Sequence, residues 1–152
     1  MSPALTQPVH LRVHSCPTQL PVVRAAVEKV CELLGFCPET VGAVVLSVDE
    51  ALTNIIRHAY GGARDQQIEV DLTPLPDASG GPGLRISLRD YGRRVDAAQI
   101  RSRELEDVRP GGLGVHIMSA CMDSVEYRPA EGGGTVLVMT KTPGGKKESS
   151  RT

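Results

Sequence analysis

Apolar and polar residues alternate in HLRVHS (residues 10 to 15), and the period of two predicts a short strand. The next stretch, TQLPVVRAAVEKVCELLGF, changes period. Val23, Ala26, Val27, Val30 and Leu34 recur at helical spacing, with Thr18 as the expected N-cap and Pro21 in the first turn. Gly35 or the Cys37-Pro38 pair ends that helix. A second helix is expected from Pro38 or Glu39 to about Tyr60. Its stripe runs Val41, Val44, Val45, Val48, Leu52, Ile55, Ile56 and Ala59, and Gly61-Gly62 stops it. QIEVDLTPL and GLRISLRD alternate again and read as two strands joined by the loop PDASGGPG. Residues 97 to 110 are polar and weakly periodic. GGLGVHIMSACMDSV is a glycine turn leading into a helix, and DSVEYRPAEGGGTVLVMTK a closing hairpin. The tail PGGKKESSRT has the composition of a disordered segment. Helices grouped among mostly antiparallel strands imply an α/β (α+β) two-layer sandwich, with helices on one face of the sheet. We expect one domain over residues 1 to 142 and a disordered tail from 143 to 152.

Composition narrows this reading. With 3% aromatic residues the core is built from Val, Leu, Ile and Ala, and exposed rings for stacking bases are scarce. A formal charge of -1 offers no electrostatic footprint for nucleic acid or anionic lipid. The start, MSPALTQPVH, lacks the basic and apolar regions of a secretory signal, and the longest apolar runs are far short of a membrane span. A cytoplasmic protein is expected. Cys16, Cys31, Cys37 and Cys121 have neither CxxC nor zinc spacing and read as reduced core residues. His10 and His14 share a strand face, but with no third ligand nearby they read as solvated.

Several familiar sites are missing. There is no phosphate-binding G-x-x-x-x-G-K-[ST], no G-x-G-x-x-G after a strand and no G-x-S-x-G elbow. Cys121 and His116 are five residues apart on a helix and diverge, so they form no thiol pair.

Three features remain that folding alone does not explain. In DEALTNIIRHAYGG, Glu50, Asn54 and His58 lie four residues apart. Four helical residues turn through about 400°, so the three side chains form a ridge beside the buried stripe. In RDYGRRVD a strand ends at Asp90 and turns at Gly92. In RPGGLGV, Gly111, Gly112 and Gly114 open a helix, and unpaired N–H groups there suit phosphate. A carboxamide oxygen such as that of Asn54 suits Mg²⁺ shared with phosphate. A carboxylate one turn away can take a proton from an attacking hydroxyl. Asp90 can accept from an exocyclic amine. Together these supply the needs of ATP chemistry.

In their order and spacing these segments resemble the GHKL (Bergerat-fold) ATPase superfamily. Within it, the chain is similar to the stand-alone bacterial anti-sigma-factor serine/threonine kinases, over about residues 10 to 141. DEALTNIIRHAYGG resembles the family's N-box, RDYGRRVD and GGLGVHIMSACMDSVEY its two glycine boxes, and GGGTVLVMTK its closing strand. The resemblance implies that Glu50 is the catalytic base and Asn54 the Mg²⁺ ligand. It implies that Asp90 binds the adenine amine, with Gly92 beside it and Thr135 supporting the contact. Gly111, Gly112, Leu113 and Gly114 would meet the phosphates, and Arg109 would approach the γ-phosphate from a lid over residues 97 to 110. His58 matches the motif on the nucleotide side, although packing is its more ordinary role.

Two departures stand out. Arg94 replaces the second glycine of D-x-G-x-G. Asp49 adjoins the presumed base, and helical geometry turns it toward water. The partners implied are a small STAS-type anti-anti-sigma protein as phosphoacceptor, a sigma factor, and a second copy of the chain; no nucleic acid or membrane is implied. Two alternatives stay open: an ATP sensor that holds its partner without transferring phosphate, and a kinase switch with a target other than a sigma factor.

Overall fold

A computed structural model of the chain describes residues 5–76, 80–92 and 114–143, leaving the side chains of 114–116 undescribed. The expected lid, the expected tail beyond its first residue, and the loop residues 77–79 lie outside this description. Five strands form one antiparallel sheet: β1 (Val9–His14), β2 (Gln67–Leu75), β3 (Gly83–Asp90), β4 (Ser124–Pro129) and β5 (Thr135–Lys141). Their spatial order is β1-β2-β3-β5-β4, so the last strand in sequence lies inside the sheet, between β3 and β4. Helices α1 (Leu20–Leu33), α2 (Pro38–Asn54) and α3 (Gly114–Cys121) form the second layer, with α2 packed between α1 and α3.

Alternation sets the faces. In β2 every second residue is buried, which turns Ile68, Val70 and Leu72 inward and Glu69, Asp71 and Thr73 outward. Leu84, Ile86 and Leu88 of β3 and Leu137 and Met139 of β5 share that inner face. Against it lie Val23, Val27 and Val30 of α1, Val44, Val48 and Leu52 of α2, and Met118 of α3 with Met122 just beyond it. Two methionines fill the third helix's share of a core almost without rings, where a flexible side chain adapts to the gaps.

Local chemistry departs from expectation in four places. Thr18 is not a helix cap: a 3₁₀ turn (Pro17–Gln19) precedes α1, Gln19 takes the N-cap position, and the Thr18 hydroxyl meets the Cys16 thiol at 3.0 Å. The second helix does not stay α-helical to Tyr60, because residues Ile55–Ala59 form a π turn. Asp49 does not face open water. Its carboxylate takes both oxygens to Arg24 Nη2 (2.9 and 3.0 Å), tying α2 to α1. Finally, the cysteines are free but not all in the core: Cys31 is buried, Cys16 and Cys121 are intermediate, and Cys37 is exposed. Burial pushes the Cys31 thiol up to about 12, with neighbouring Glu32 and Glu28 adding to it.

Candidate functional site

The segment carrying Glu50 and Asn54 lies on α2, and its flanks are set by helical geometry. Asp49 points to α1 through Arg24, and five residues later the helix has turned a net of about 140°, placing Asn54 on the other flank. Glu50, part-exposed, makes no hydrogen bond or ion pair among the described residues. Asn54 Oδ1 accepts from Arg57 Nη2 at 3.3 Å, while its Nδ2 is buried without a hydrogen-bond partner. A buried donor left open costs stability unless something else fills it. The oxygen is the kind of hard donor that suits Mg²⁺, and it is held here by Arg57, which a metal would displace.

The turn after Asn54 is wider than an α-turn: Tyr60 N–H reaches back to the Ile55 carbonyl (3.1 Å). His58, within that turn, is exposed. The Ala59 carbonyl lies against Gly92, where a Cβ on residue 92 would lie 2.6 Å from that oxygen.

Asp90 and Thr135 are among the few buried polar residues of the described part of the chain. Both lie on the helix-covered face, and the β3–β5 register, continued one step past Arg89↔Val136, sets them opposite each other. Asp90 Oδ1 accepts the Gly92 N–H at 3.0 Å. Gly134 has φ of +85°, and a Cβ there would come within 2.0 Å of the Asp90 carbonyl oxygen. No other residue allows this approach of two backbones. On the outer face Arg89 Nη2 donates to the Glu131 and Gly133 carbonyls (2.8 and 3.4 Å), and its guanidinium stacks 4.4 Å from the Tyr91 ring centroid.

The structure thus gathers Asp90, Gly92 and Thr135 beside the end of the helical segment that carries Glu50 and Asn54. Gly114 starts α3, which packs against α2. Arg94, Arg109, Gly111, Gly112 and Leu113 lie outside the described residues. Sequence reasoning missed Gly134, although a glycine directly before the motif threonine was the available signal. It also missed Tyr60, whose place at the end of HAY is the only hint of its contacts.

Among the described residues no helix is long and apolar enough to cross a membrane, and no cluster of His, Cys, Asp or Glu is arranged to hold a metal ion. The family model for the "Histidine kinase-like ATPase domain" matches residues 13–141. A serine-protein kinase RsbW of Halalkalibacterium halodurans is 29% identical over 128 residues, covering 79% of this chain and 74% of that protein. The RsbW of Listeria monocytogenes serovar 1/2a is 28% identical over 142 residues, covering 88% and 85%. Two solved structures share the fold. One contains the RsbU and RsbW domains of Rv1364c from Mycobacterium tuberculosis (TM-score 0.62, 19% identity). The match covers 90% of this chain but only 32% of that one. The other is the SiaB–SiaC complex of Pseudomonas aeruginosa (TM-score 0.58, 12% identity), with 88% of each chain covered.

Proposed function

Because the chain belongs to the histidine kinase-like ATPase domain family, we propose that it is an ATP-dependent protein serine/threonine kinase acting by partner switching. Its phosphoacceptor is a small STAS-type anti-anti-sigma protein, and the released kinase holds a sigma factor. The relatives named as serine-protein kinases, which match most of their length to this chain, support this reading. The observation that carries it is the part-exposed Glu50 carboxylate, one helical turn from Asn54 and with no partner of its own among the described residues.

In this reading the Asp90 carboxylate accepts from the adenine amine, and Thr135 supports that contact. Gly92 and Gly134 let the backbone close around it. Asn54 Oδ1, released from Arg57, would hold Mg²⁺, and the N-terminus of α3 would face the phosphates. When bound, Mg²⁺ neutralises phosphate charge and aligns the γ-phosphoryl group. Glu50 takes the proton from the acceptor hydroxyl as that oxygen bonds to the γ-phosphorus. The bond from phosphorus to the β–γ bridging oxygen breaks, and ADP leaves with that electron pair. The protein works in the cytoplasm as a homodimer, as one ATP-binding domain over residues 1 to 142.

The test is transfer of label from γ-labelled ATP to the STAS partner. Wild-type protein labels a serine or threonine of the partner. Glu50→Gln lowers that rate by roughly 10²–10⁴-fold, the usual worth of a general base, and still binds ATP. Wild-type transfer rates in Glu50→Gln would remove the base assignment. Tight, ATP-dependent partner binding without label from either protein would make the chain a sensor.

A further inference from the structure

Tyr60 closes the helical segment that carries Glu50 and Asn54, and its hydroxyl lies between two backbone groups. It donates to the Gln67 carbonyl at 2.5 Å and accepts from the Tyr91 N–H at 2.6 Å. The β2–β3 register gives these contacts meaning. Its last pair is Ile68↔Asp90, so the next step would set Gln67 opposite Tyr91. At that step the Tyr60 oxygen stands between the two strands, taking the N–H from one and giving its proton to the carbonyl of the other. The ladder therefore ends at Asp90, and the chain leaves β3 there.

The peptide joining Asp90 to Tyr91 is held from two sides. Tyr60 holds its N–H, and Gly134 crowds its carbonyl. The following N–H, of Gly92, bonds back to Asp90 Oδ1 at 3.0 Å. The orientation of the Asp90 carboxylate thus depends on where Tyr60 stops the ladder. Burial, and after it the charge of Asp90, push the phenol well above its ordinary range, with Arg89 opposing. It stays an O–H donor at neutral pH.

We propose that Tyr60 is a positioning residue for base recognition: its hydroxyl, wedged between Gln67 and Tyr91, aims the Asp90 carboxylate at the 6-amino group of adenine without touching the nucleotide. This rests on the reading of Asp90 as the adenine acceptor. Replacing the hydroxyl by hydrogen lets Tyr91 N–H pair directly with Gln67 and draws the turn toward β2. A role in packing alone would need the ring but not the oxygen.

The test compares binding of ATP with binding of purine riboside 5′-triphosphate, which lacks the 6-amino group, by calorimetry. Wild type favours ATP by about tenfold or more, the worth of a hydrogen bond to a charged acceptor. Tyr60→Phe brings the ratio to within about threefold of unity by weakening ATP and leaving the analogue unchanged. An equal loss for both nucleotides, or a wild-type ratio, would overturn the proposal. Asp90→Asn separates the two levels of the argument. If it abolishes the preference while Tyr60→Phe keeps it, only the role of Tyr60 fails; if Asp90→Asn keeps the preference, the acceptor assignment fails with it. Should Tyr60→Phe not fold, amide exchange in the wild type decides. ATP slows exchange of the Tyr91 N–H more than the analogue does, and equal protection by both overturns the proposal.

Discussion

Strands β3 and β5 are paired along their length, yet their two ends are built on opposite principles. At one end Leu84 faces Lys141, and an aspartate next to α3 is taken up by the chain itself. Asp123 Oδ2 accepts from the Thr142 N–H (2.7 Å) and hydroxyl (2.8 Å), and Lys141 Nζ reaches its other oxygen at 3.7 Å and the Cys121 carbonyl at 2.8 Å. At the other end Asp90 is set deeper, and its surroundings are made by glycine. Gly92 and Gly134 bring backbone against backbone where no Cβ fits, and the nearby helical segment holds a buried amide with nothing to bond. Polar groups satisfied within the chain close a corner of the fold. At the other end, backbone packing that only glycine permits surrounds a buried carboxylate.

The contrast is broken most severely by Gly134→Ala. The new Cβ meets the Asp90 carbonyl, and the positive φ strains any L-residue. A loss of about 4 kcal/mol, at the upper end for single substitutions, is expected in urea unfolding, with ATP binding lost in calorimetry. A stable variant with unchanged affinity would show that the close approach is not required.

Asp123→Ala tests the other end. Removing a carboxylate that accepts two hydrogen bonds from Thr142 and pairs with Lys141 is expected to cost about 1–3 kcal/mol in thermal or urea unfolding, while ATP affinity stays within about twofold of wild type. Lost affinity without lost stability would erase the distinction between the two ends. The smallest effect belongs to Arg24→Ala, away from both. The Arg24–Asp49 pair is 41% and 32% exposed, so about 0.2–1 kcal/mol is expected, shrinking as salt is added. A larger, salt-independent loss would mean that the pair does more than join α1 to α2.

Much of the fold was legible in the pattern of residues. QIEVDLTPL and GLRISLRD become β2 and β3 with the expected ends, because strict alternation permits one inward face. The apolar stripe from Val41 to Ile55 is buried as its spacing implies, with Val45 half-buried at its edge. Helix starts were less readable. Thr18 competes with a local thiol contact and a 3₁₀ turn whose energies differ little from those of a cap. The motifs named Asp90, Gly92 and Thr135 but not their arrangement, and they were silent on the oxygen of Tyr60.

Periodicity, turn chemistry and motif spacing by themselves determined the element types, the two-layer class and the family resemblance, since each depends on residues within one or two turns of chain. Tertiary structure decided what depends on residues far apart. It set β5 beside β3, so that Gly134 meets Asp90. It paired Asp49 with Arg24 across two helices, where one helix viewed alone turned it toward water. It opened a π turn in a stretch whose spacing is purely α-helical, and carried the Tyr60 hydroxyl into the gap between β2 and β3. Helical spacing records which face of an element is buried, but not what another element brings up against it.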